Sequence, residues 1–148
     1  MNLQIFLLSM FLIFFKNQAP QQPDISQFEF ATFTRGSYKN VIITKDKITI
    51  AQQLPGDVNE HTKEFKITKA DWNALLRAIK PVSLTSISTL PSPGMQRASD
   101  AARTSTLSIT DGTGKLYSHT FDNEDPHDSL KPLLKCILAI EQRIPDAK

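Results

Sequence analysis

The chain has 148 residues, 40% of them hydrophobic, 22% charged and 8% aromatic, with a formal net charge of +2 at pH 7. That length suits one ordinary domain able to bury a core without metal or disulfide staples. The balance excludes collagen, low-complexity sequence and wholesale disorder. A near-neutral domain without a basic run of four or more residues gives no electrostatic reason to expect nucleic acid.

Ile5–Phe15 is an uninterrupted apolar run apart from Ser9, matching the central region of a secretory signal peptide. It is too short for a bilayer core, which needs about 20 residues. Ala19 ends the nearest small-residue cleavage pattern, although Pro20 follows it and Lys16 sits on the unusual side of the run. We therefore expect residues 1–19 to be a signal peptide, 20–27 a polar, Pro-containing tether, and 28–148 a single domain. The other readings are an uncleaved anchor, the chain's only membrane contact, or a buried first strand. Cys136 is the sole cysteine, so no internal disulfide can form. A disulfide-free exported domain suits a bacterial periplasm or extracellular space. Cys136 lies in an apolar stretch and reads as a small core residue rather than a nucleophile.

From Gln27 the pattern takes period two. Phe28, Phe30 and Thr32 alternate with Glu29, Ala31 and Phe33, predicting a strand that ends near Arg35-Gly36. Tyr38–Thr44 is a second strand, rich in β-branched residues. Lys45-Asp46 reverses the chain into a third strand beginning at Lys47, and a loop with Pro55-Gly56-Asp57 leads to a fourth over Glu60–Ile67. Thr68 then caps a helix, with Asp71 placed to complete a capping box. Trp72, Leu75, Leu76 and Ile79 form its apolar stripe, and Pro81 stops it.

Val82–Ala102 is irregular; Leu84, Ile87 and Leu90 recur every third residue, as in a packed loop or 3₁₀ turn. A loop of this length inside a compact domain is often functional. Alternation resumes over Arg103–Thr110, Asp111-Gly112-Thr113-Gly114 makes a hairpin turn, and Leu116–Phe121 returns. A final helix over Ser129–Arg143 buries Leu130, Leu133, Leu134, Ile137, Ile140 and Ile144. The order ββββα-loop-ββα predicts an α+β domain, an antiparallel sheet of about six strands with two helices on one face.

Phosphate-loop, dinucleotide, zincin, thiol-redox and serine-hydrolase signatures are absent, so catalysis is not expected and no cofactor or metal is implied. The acidic stretch Asp122–Asp128 could offer oxygen ligands to Ca²⁺, but it lacks EF-hand spacing and reads as a solvated loop before the last helix. His61 and His119 fall on strands and are read as outward surface histidines; with His127 they make no zinc pattern. Ser118 and His119 are adjacent strand residues facing opposite ways, which rules out a Ser118–His119–Asp122 triad.

The remaining polar set is Arg35, Arg97, Asp100 and Asp122, each at a strand end or in the long loop. Here Thr34-Arg35-Gly36, Asp71-Trp72 with Leu75-Leu76, Asp100-Ala101-Ala102 and Phe121-Asp122 resemble short motifs of small exported proteins of unknown function from Bacteroidetes-type bacteria. The resemblance spans roughly residues 28–140 and implies no activity. These four residues are candidate binding residues, or an Arg–Asp network tying the long loop to the sheet. The expected function is an exported domain that binds a protein, peptide or envelope component through its Ser/Thr-rich sheet face or the Val82–Ala102 loop. The alternative is a small periplasmic enzyme or ligand carrier built on an Arg/Asp pocket.

Overall fold

The computed structural model describes residues 23–99 and 102–145; the expected signal peptide, the start of the expected tether, Asp100, Ala101 and residues 146–148 lie outside them. Six strands, β1 (Ile25–Thr34), β2 (Ser37–Thr44), β3 (Lys47–Gln53), β4 (His61–Lys66), β5 (Thr104–Asp111) and β6 (Leu116–Asp122), form one sheet in the order β4-β3-β2-β1-β5-β6. Every neighbouring pair is antiparallel. Helices α1 (Lys69–Ile79) and α2 (Lys131–Gln142) complete an α+β fold. None of the described helices is long and apolar enough to cross a membrane.

Strand alternation decides which face is buried. Ile48, Ile43, Phe28 and Ile109 are register partners across four strands, and Ile50, Val41, Phe30 and Leu107 form the next row. All eight are buried, under a lid of α1 and α2 side chains. The Phe28 ring meets Trp72 edge-on at 5.3 Å between centroids, joining sheet to α1. Thr68 caps α1: its hydroxyl accepts from the Asp71 N–H at 3.1 Å while Asp71 accepts from the Thr68 N–H. The capping box and both apolar stripes are as expected.

Three boundaries differ from the periodicity. β1 opens at Ile25 because a bulge between Ile25 and Gln27 interrupts the period of two, leaving Ile25 buried out of phase. β3 runs on to Gln53, since β2 offers ladder partners as far as Tyr38. The last helix is a 3₁₀ turn over Asp128–Leu130 followed by α2, which accommodates Pro132 in its first turn. The long loop contains two 3₁₀ helices, Leu84–Thr89 and Gln96–Ser99, the first lying against β6 with Leu84 and Ile87 buried.

His119 does not face outward. It shares the core side of β6 with Tyr117 and Phe121, is only 4% exposed, and stacks on Phe121 at 5.6 Å. His61 is exposed on the edge strand β4 and pairs with Asp57 at 2.7 Å.

Candidate functional site

The structure brings Arg97 and Asp122 together. The Asp122 carboxylate, buried at the end of β6, accepts from Arg97 Nη1 at 2.7 Å, from the Gln96 N–H at 2.7 Å and from the Arg97 N–H at 3.3 Å. Arg97 Nη1 also donates to the Gly94 carbonyl at 2.6 Å and to Ser92 Oγ at 3.1 Å. Burial pushes the Asp122 carboxyl upward, but the Arg97 guanidinium and the two amides outweigh it and hold the group below the usual aspartate range. Both carboxylate oxygens are occupied by the chain itself. The arrangement clasps the long loop to β6.

Arg35, in the β1–β2 turn, shares a hollow of about 290 Å³ with Arg97, Phe33, Thr34, Ala102 and Thr104. Asp122 is not among its walls, and Asp100 lies outside the described residues. Three of the four candidates thus sit at one end of the sheet, with Asp122 turned into the clasp.

The acidic stretch is spoken for as well. Asp125 and Asp128 pair with Lys131 at 3.0 and 2.8 Å. Among the described residues no three His, Cys, Asp or Glu side chains gather as metal ligands would. Asp111, buried at the last hairpin, accepts from the Thr113 hydroxyl at 2.6 Å, from the Lys115 N–H at 3.0 Å and from the Tyr117 hydroxyl at 3.1 Å. It shapes a turn, with Gly114 at φ +87°.

The sheet face, expected from its Ser/Thr-rich strands as one binding surface, lies bare on the side opposite the helices. Its central rows are Ala51–Asn40–Ala31–Thr106–Thr120 and Thr49–Ile42–Glu29–Ser108–Ser118, with Phe33 and Tyr38 paired at one end. Phe33 is 62% exposed. Asn40, between two alanines, has its Oδ1 buried without a hydrogen-bond partner among the described residues. A feature the sequence did not single out is a cleft of about 240 Å³ at the Thr34–Ser37 end of the sheet, lined by Thr32, Lys39, Gln52 and Arg103 and also by Tyr38.

No family model, curated protein or solved structure matches this chain.

Proposed function

We propose that this chain is an exported, non-catalytic domain that holds a partner protein on the bare face of its sheet. The observation carrying this reading is the face itself: six strands wide, surfaced by hydroxyls, amides and small apolar groups, with the Phe33–Tyr38 pair at its rim. Six strands spaced about 4.8 Å apart and seven or so residues long give roughly 24 Å by 23 Å. That is about 550 Å², below the roughly 800 Å² per partner of an ordinary protein interface and in the range of smaller, transient ones. Its acids and bases, Glu29 and Glu64 against Lys47 and Lys66, balance, and Glu29 is the one charged residue in its two central rows. Interface centres are likewise poor in charge and enriched in aromatics, whereas a nucleic acid asks for a basic surface. Export rests on the Ile5–Phe15 run.

A ligand carrier built on the Arg/Asp set has the Arg35–Arg97 hollow in its favour and the internally satisfied Asp122 against it.

The test places a photo-reactive side chain in living cells at Ala31 or Thr106 on the bare face, or at Arg77 on α1. One discrete protein adduct from the first two positions and none from Arg77 is expected. The adduct partner, once purified, should bind the domain and lose that binding with Ala51→Arg. Adducts spread equally over both sides, or none from the bare face, would refute the reading.

A further inference from the structure

The helix-covered face changes character at one end. Behind the two apolar rows comes a third row of register partners, Gln52–Lys39–Thr32–Ser105, polar in all four strands. Ordinary fraying into solvent does not explain it, because Thr32 is 7% exposed and Ser105 fully buried. Ser105 spends its hydroxyl on the Asn123 carbonyl, which closes the end of β6. The Thr32 hydroxyl has no hydrogen-bond partner among the described residues, and it lines the 240 Å³ cleft.

The charges around that cleft do not cancel. Lys39 Nζ is held at 2.7 Å by Glu141, itself buried at the end of α2. The Tyr38 hydroxyl donates to Glu60. Arg103 uses its backbone N–H on Asn123 Oδ1 at 3.1 Å, but its guanidinium has no ion-pair partner among the described residues. Thr34 and Gln52 add polar side chains without internal bonds. An uncommitted guanidinium beside uncommitted hydroxyl and amide groups, in a recess too small for a drug-sized molecule, is an incomplete hydrogen-bonding set.

We infer that this cleft binds a small polyhydroxylated anion. Arg103 takes the carboxylate or phosphate oxygens, and Thr32, Thr34 and Gln52 meet the hydroxyls. The cleft shares Tyr38 with the rim of the bare face, but it is tested by small-ligand binding and so stands or falls independently of that reading. Sugar acids and sugar phosphates share the required chemistry.

Calorimetric titration of the full chain with glucuronate, glucose 6-phosphate, glucose and inorganic phosphate tests the inference. At least one of the two charged sugars should bind saturably and more weakly as salt rises. Arg103→Gln should raise its Kd about tenfold or more, and Thr32→Val several-fold. Glucose should bind more weakly by a factor like that of the Arg103 change, and Arg77→Gln should alter nothing. Arg103 is exposed, so its variant remains informative even where the Thr32 variant loses its fold. Saturable binding by neither charged sugar, or unchanged affinity in Arg103→Gln, overturns the proposal. Inorganic phosphate binding as tightly as the sugar ester also overturns it, because the hydroxyl contacts would then contribute nothing.

Discussion

Arg97 Nη1 lies 2.7 Å from Asp122 Oδ1, joining residues 25 positions apart in sequence. The pair has little freedom to do anything else. Asp122 also receives two backbone amides from the 3₁₀ turn that carries Arg97, and Arg97 also holds the carbonyl of Gly94. A carboxylate satisfied on this scale by one loop is an anchor. Removing either partner leaves the other without its compensating charge in a largely desolvated place, which costs more than the pair itself contributes.

Gly94 makes that anchor testable without touching either charge. A Cβ there would stand 2.4 Å from Asp122 Oδ2, a distance real structures do not tolerate. Gly94→Ala should therefore cost about 1–3 kcal/mol, the usual range for forcing extra atoms into a packed site. Denaturant unfolding measures it. Proteolysis should begin within the Pro91–Ser99 segment in this variant, ahead of the rest of the domain. A stability equal to the parent chain would show that the clasp does not hold the loop.

Trp72 is the other anchor, 7% exposed and edge-on to the fully buried Phe28. Trp72→Ala should cost about 3–5 kcal/mol, as for large buried aromatics generally. A loss below 1 kcal/mol would mean that α1 is not seated on the sheet as described.

Much of this was legible in the sequence, and the gaps have physical reasons. Thr68 and Asp71 specify a helix start locally, so no tertiary information is needed to find it. The Asp111–Gly114 turn is equally local. His119 is different: Tyr117 and Phe121 two residues either side were the signal that it faces the core, and polarity argued against parity. The third row on the buried face was available in the same way. In β1 the run Phe28, Phe30 continues as Thr32; in β2 Val41 gives way to Lys39; in β3 Ile50 gives way to Gln52. Only register shows that these polar residues lie side by side, and one sequence read strand by strand does not supply register. Arg97 and Asp122 were both visible as polar residues at loop and strand ends, but their separation hid the contact that defines them.

The leader gives a prediction about folding as well as targeting. Ile25 onward supplies every described strand and helix, and the described core draws on no described residue before it. A chain beginning at Gln21 should therefore be soluble and unfold cooperatively, with a midpoint within error of the full chain. Leu8→Arg should abolish export, because a charge interrupts the apolar run that targeting requires. A molten or aggregated Gln21 chain would place the apolar run within the fold, and secretion of the Leu8 variant would remove the targeting argument.

His119 predicts how stability responds to mild acid. Burial lowers its affinity for a proton, and the nearby His127 and Arg97 lower it further, so the folded chain titrates this group below its ordinary value of 6.5. The Nε2 atom accepts from the His127 N–H at 3.4 Å, an interaction available only to the neutral ring. Below about pH 6.5 the unfolded chain binds a proton that the folded chain refuses, so stability falls as pH drops and levels off beneath the folded pKa. Asp111 and Asp122 act in a separate, lower window. Their folded pKa values lie under the ordinary 3.8, so their contribution is complete above that value and is lost only as pH falls through the folded values. His119→Phe keeps an aromatic ring to stack on Phe121 while removing the titrating group. Denaturation midpoints between about pH 5 and 7.5 should slope downward toward acid in the parent chain and flatten in the variant. Equal slopes in both would assign the mild-acid response to another group and leave His119 a packing residue only.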